Sequence, residues 1–134
     1  MKQRIPVIYV AGPFRHPWKH MPGQQDCWEI QNNIMVAAAL ALELWRMGAA
    51  ALCPHLNMAY FQNAADDQVW LDGDLALLAR CDAILMTPNW KGSAGARAEH
   101  KEAQIRYIKV LYNVDEARTF IAECKGEPHS GRVC

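Results

Sequence analysis

"DAILMTPNWKGSAGARAEH", residues Asp82 to His100, decides the fold. Its first six residues, with the apolar run Ala83 to Met86 at their centre, read as a strand buried on both faces that Pro88 ends. A turn bearing Pro88, Gly92 and Ser93 follows, and from about Ser93 to Tyr107 the pattern becomes helical. Strand, turn and helix in that order make one half of a parallel crossover unit. The same stretch carries Glu99 behind a Ser-Ala-Gly turn. That glutamate is either a solvated residue of an ordinary helix or a carboxylate held at a site.

Working outward, the alternation repeats. "PVIYVA", Pro6 to Ala11, is a β-rich run followed by a loop to about Gln25. From Asp26 the period changes to 3.6, with Ile30, Ile34, Ala37, Ala38, Ala41, Leu44 and Trp45 on one face. Asp26 with Glu29 makes a capping-box-like start, and Gly48 supplies the stop. "AAALC", Ala49 to Cys53, reads as a second strand ended by Pro54, and "PHLNMAYFQNAA" as the loop after it. A helix from Asp66 or Asp67 to Arg80 is expected to bury Val69, Leu71, Leu75, Leu78 and Ala79. Lys109 to Tyr112 is the fourth strand, and Asn113 with Glu116 caps a last helix to about Cys124.

Strands that alternate with helices predict an α/β fold. It is a doubly wound, flavodoxin- or Rossmann-like parallel sheet of four to five strands with helices on both faces. Residues 1–124 form one domain, and 125–134 read as a flexible tail. In such sheets ligands bind beyond the carboxyl ends of the strands. The unusual segments "GPFRHPW", "PHLN" and "PNWKGSAG" all fall there.

Composition narrows the function classes. At 134 residues and 51% hydrophobic content, the chain suits a single core. A formal net charge of zero argues against a nucleic-acid polymer as partner, because binding one replaces counterions with Lys and Arg. No apolar run reaches about 18 residues, and no signal-peptide order opens the chain. A cytoplasmic protein without a membrane partner is expected. Five scattered cysteines read as reduced thiols. His16, His20, Cys53 and His55 lack the paired spacing of a zinc site, and neither GxGxxG nor GxxxxGK[ST] occurs. No metal or cofactor is expected.

The candidate site residues follow from this placement. With a helix beginning near Ser93, the amides of Ala94, Gly95 and Ala96 face the ligand crevice, and Gly95 permits close approach. Glu99 lies on the side of Gly95 by its i+4 spacing. Asp74, in "WLDGDLALLARCD", is either an exposed helix residue or a second carboxylate in the crevice. Two carboxylates in different environments suit glycosidic-bond chemistry, one nucleophilic and one handling the proton. Gly12 sits in the turn after the first strand, with Arg15 within reach of an anion there. Tyr9 reads as core with a hydroxyl that needs a partner. Trp18, Tyr60, Phe61 and Trp90 offer faces for a flat base, and His55 and Asn89 complete the substrate-binding candidates at the strand ends.

Together, "YVAGPFR", "WLDGDLALLARCDAILMTP" and "NWKGSAGARAE" resemble the nucleoside 2-deoxyribosyltransferase-like superfamily, from about Tyr9 to Val110. The likeness is nearest to an uncharacterised phage and bacterial branch with the signature P-x-W-x-x-S-x-G-A-x-x-E. Here those positions are Pro88, Trp90, Ser93, Gly95, Ala96 and Glu99. The resemblance implies that Glu99 is the nucleophile at C1′ of a (deoxy)ribose, with Asp74 as second acid and Tyr9 orienting the nucleophile. Transferase members carry an aspartate at Ser93. Serine there resembles the nucleotide N-glycosidase branch, in which it and an arginine matching Arg15 hold a 5′-phosphate, although Pro13 replaces a serine of that branch. Cleavage of a nucleotide or nucleoside by a homodimer or larger assembly is therefore expected. The alternatives are a deoxyribosyltransferase and a nucleotide-sensing module without turnover.

Overall fold

A computed structural model describes residues 4–15, 27–61 and 64–126. Its elements are β1 (Val7–Ala11), α1 (Cys27–Arg46), β2 (Ala50–Leu52), α2 (Pro54–Asn57) and α3 (Asp67–Leu78), followed by β3 (Ala83–Met86), α4 (Ala94–Ile105), β4 (Lys109–Leu111) and α5 (Val114–Cys124). The four strands pair in the order β2-β1-β3-β4, all parallel. The expected α/β doubly wound architecture is what the chain forms.

Period-two alternation on the central strands separates the two faces of the sheet. Ile8, Val10, Ala83 and Leu85 pack with Ala37, Ala41 and Leu44 of α1 and with Ala117 and Ile121 of α5. Tyr9, Ala11, Ile84 and Met86 point the other way, onto Leu78 of α3 and onto Ala96 and Ala103 of α4. Each large aliphatic side chain so buried contributes about 1.5–3 kcal/mol. The strand order reverses between β1 and β3, and there the backbone amide of Thr87 still reaches Ala11 O at 2.9 Å. A crevice is expected at that switch point, beyond the carboxyl ends of β1 and β3.

Local signals set the element ends. Asn113 accepts the Glu116 amide at 2.8 Å, while Glu116 Oε1 accepts from Tyr112 N at 3.0 Å, a reciprocal cap at the start of α5. Asp26, the expected cap of α1, and the stretch 127–134 of the expected tail lie outside the described residues.

Several expectations need correction. α2 forms inside the expected loop, with Pro54 in its first turn, where a missing N–H costs nothing. Trp45 is 56% exposed rather than buried, because Leu44 takes the inward position and the next residue turns about 100° away. Val69 is likewise 55% exposed. The inner side of α3 passes through Leu71, Asp74, Leu75 and Leu78, an i, i+3, i+4, i+7 set. Cys53 and Cys81 are free, whereas Cys124 is disulfide-bonded, so the expectation of five reduced thiols does not hold; sequence spacing cannot show which sulfurs a fold brings together. No helix of the described residues is long and apolar enough to cross a membrane.

Candidate active site

The inner face of α4 places Glu99. Ala96, Glu99 and Ala103 are the buried residues of this helix, and their spacing of three and four sets them in one stripe against the sheet. Ser93 fixes where the helix starts, since its Oγ accepts the Ala96 amide at 3.2 Å. Glu99 is only 6% exposed, and the hydroxyl of Tyr9, from the middle of β1, donates a hydrogen bond to its Oε2. A solvated helix residue would show neither feature.

Burial sets the charge state of this cluster. It pushes the Glu99 carboxyl up to about 8; the Asp74 carboxylate adds to that rise, and the hydrogen bond from Tyr9 opposes it. Asp74 is raised by burial to about 6. The Tyr9 phenol is held far above its ordinary range by burial and by the two carboxylates, so it stays a donor. Two carboxyl groups with separated proton affinities share one site, and Glu99 is the later of the two to give up its proton.

Glu99 and Asp74 open into a cavity of about 570 Å³. The loop after β1 supplies Gly12, Phe14 and Arg15; the segment after β2 supplies His55, Met58 and Phe61; α3 adds Asp67, Trp70 and Asp74. The first turns of α4 close the cavity with Ser93, Gly95 and Ala96. Phe61 and Trp70 stack with centroids 6.0 Å apart and planes inclined by 24°, and Phe14 leans on His55 at 5.9 Å. A pocket of this size with apolar walls and a few converging polar groups is the usual form of a small-molecule site.

Most of the residues nominated from sequence converge here: Gly12, Arg15, His55, Asp74, Ser93, Gly95 and Glu99 line the cavity, and Tyr9 reaches it through Glu99. Asn89 and Trp90 are not brought into it. Asn89 accepts from the Thr87 hydroxyl at 2.8 Å, and Trp90 stacks on His100 at 4.3 Å, with Tyr112 beyond. Tyr60 is exposed, Phe61 lines the cavity, and Trp18 lies outside the described residues. Phe14, Met58, Asp67 and Trp70 escaped the sequence reading. Trp70 and Asp67 were within its reach, being four and seven residues before Asp74 on a helix.

The two glycines serve different ends. A Cβ at Gly12 would stand 2.4 Å from Thr87 Oγ1, so the close packing of the β1 and β3 ends demands glycine there. A Cβ at Gly95 would meet only Ser93 Oγ at 3.9 Å, and its absence leaves room for a ligand against the first turn of α4. His55 is 4% exposed, and its Nε2 donates to Pro13 O at 2.8 Å; burial lowers its proton affinity and keeps the ring neutral. Among the described residues no three His, Cys, Asp or Glu side chains stand together as a metal would require; His16 and His20 lie outside them.

A family model described as "Domain of unknown function (DUF4406)" matches residues 6–112, and the chain belongs to that family. No curated protein matches the chain.

Proposed function

We propose that the chain is an N-glycosidase that cleaves the base–sugar bond of a (deoxy)nucleoside 5′-monophosphate or related nucleotide, with Glu99 as nucleophile and hydrolysis favoured over transfer. The observation that carries this reading is the buried Glu99, held by Tyr9 and opening with Asp74 into an aromatic-walled cavity. The resemblance of the three motifs to the nucleoside 2-deoxyribosyltransferase-like superfamily supports the same assignment.

The chemistry is a double displacement. A Glu99 carboxylate oxygen attacks C1′ as the C1′–N bond breaks; the bonding pair leaves with the base, and the Asp74 carboxyl gives the departing nitrogen its proton. The product is a glycosyl ester on Glu99. Water then attacks C1′ and passes its proton to Asp74, which releases the sugar and restores both carboxyl groups. Tyr9 holds Glu99 in one orientation throughout. The Phe61–Trp70 pair offers an aromatic wall for the base, and Arg15 with the α4 N-terminus lies where an anion would be favoured.

Incubation with a panel of nucleosides and nucleotides, resolved by chromatography, tests the reading. Free base is expected from at least one substrate, and none from Glu99→Gln. A panel that is bound but never cleaved would instead favour a sensing module.

The partner expected is a second copy of the chain. Trp28, Met35 and Leu42 recur every seven residues on the exposed side of α1, and Trp45 extends this stripe to a groove formed with Ala41, Leu52 and Leu56. An apolar stripe at that spacing is the pattern by which two helices pack.

A further inference from the structure

Arg15 and Ser93, the two side chains that would meet a phosphate, already have protein partners. Arg15 Nε lies 3.2 and 3.1 Å from the two carboxylate oxygens of Asp67, and its Nη2 lies 3.1 Å from Oδ1. Ser93 Oγ is engaged with the Ala96 amide. Arg15 comes from the loop after β1 and Asp67 from the first turn of α3, so the pair joins two walls of the cavity. Its burial is uneven. The Arg15 side chain is 20% exposed and that of Asp67 is 68% exposed.

That unevenness has a consequence for ligands. An ion pair with one partner largely in water is weak, and an incoming anion can take over the guanidinium. The displaced carboxylate stays on the rim, tethered by α3, and repels whatever has replaced it. The repulsion grows with each charge the newcomer carries. Building on the nucleotide reading above, we propose that Asp67 is a charge-selectivity residue. It admits an uncharged 5′-hydroxyl or a single phosphate beside Arg15 and disfavours di- and triphosphates.

The same pair gives Asp67 a second effect on the cavity. By holding the Arg15 fork in the unliganded site, it makes anion binding an exchange of partners at the guanidinium. Selectivity then resides in the exchange of partners, and it depends on the charge at residue 67 more than on its hydrogen bonding.

The test uses full-length chain carrying Glu99→Gln, so that turnover does not enter, and measures Kd by calorimetry. The probes are adenosine and cytidine, each with its 5′-mono-, di- and triphosphate. Adding Asp67→Asn should tighten triphosphate binding at least tenfold and monophosphate binding about threefold, with the nucleoside changed less than twofold. Asp67→Glu should retain the original order, and high salt should shrink the differences. Equal changes across the series would overturn the assignment, as would weaker monophosphate binding in Asp67→Asn, which would make Asp67 an orienting partner for phosphate recognition. Binding with an unchanged order sinks Asp67 alone, whereas no binding by any probe takes the nucleotide reading down with it.

Discussion

The Tyr9 hydroxyl, at the centre of the sheet, donates to Oε2 of Glu99, 90 residues further along the chain, and both side chains are buried. A phenol so placed favours the ionised form of its partner against the cost of burial. Tyr9→Phe should therefore raise the proton affinity of Glu99 further. Base release is expected to fall by about ten- to a hundredfold in kcat/KM, the loss of one hydrogen bond to a charged group at about 1.5–3 kcal/mol. Glu99→Gln and Glu99→Ala should abolish release in a folded protein, because neither can form the ester. Full turnover in either purified variant would remove Glu99 from the mechanism.

The pH profile follows from the same pair. The proposed mechanism needs Glu99 ionised and Asp74 protonated; with affinities near 8 and 6 the pair carries a single proton between those values, held mainly by Glu99, so the reactive tautomer is the minor share of that population. A bell with limbs near pH 6 and 8 is expected for kcat/KM. In Tyr9→Phe the alkaline limb should move upward. An acid limb that stays put in Asp74→Asn would show that another group sets it.

Stability should depend on pH in a fixed direction. Both carboxyl groups bind protons more tightly in the folded chain than at their ordinary values of 4.5 for Glu99 and 3.8 for Asp74. Their contribution is fully present below those ordinary values and is lost as pH rises through about 6 for Asp74 and about 8 for Glu99. Urea midpoints should fall over that window. Glu99→Gln, which keeps an acceptor for Tyr9, should flatten the fall and exceed the parent in stability above pH 8. A parent that grows more stable from pH 5 to 8 would contradict the burial argument.

The fold was legible because the strands are short apolar runs bounded by Pro and Gly, and α1 and α4 carry clear periods. Glu99 could be placed on the inner stripe of α4 from Gly95 alone. Asp74 was harder, since the apolar residues of α3 allow two stripes, and only the tertiary packing puts Leu71, Leu75 and Leu78 inward and leaves Val69 in water. Trp90 misled because a tryptophan in a turn at the ligand end looks like a stacking surface. Its face is taken by His100, one residue after Glu99 and turned about 100° from it around α4. α2 and the Arg15–Asp67 pair left no signal, because the first is a single turn and the second joins distant segments.

Glycine substitutions should separate packing from ligand access. Gly12→Ala forces a methyl against the buried Thr87 side chain and should cost about 1–3 kcal/mol of stability, seen in thermal melts. Gly95→Ala meets no such obstacle and improves helix propensity by up to about 1 kcal/mol, so the melt should hold or rise. Its methyl enters the cavity, and KM should increase. Equal destabilisation by both changes would mean that Gly95 too is fixed by packing.

Ser93 bears on whether water or a second base would resolve the glycosyl ester of the proposed mechanism. A transferase must shield that ester from water and hold the incoming ring with a group that matches its edge. Ser93 offers a short hydroxyl, and its oxygen is already the cap of α4. The O–H that remains suits a phosphate oxygen better than the edge of a base. With two bases supplied together, free base and sugar phosphate should accumulate and exchanged nucleotide should stay a minor product. Ser93→Asp keeps a capping acceptor and adds a carboxylate at the cavity wall, so it should raise the share of exchange without unfolding α4. Labelled acceptor base entering nucleotide faster than sugar phosphate appears, in the unmodified chain, would reverse the assignment and make the protein a transferase.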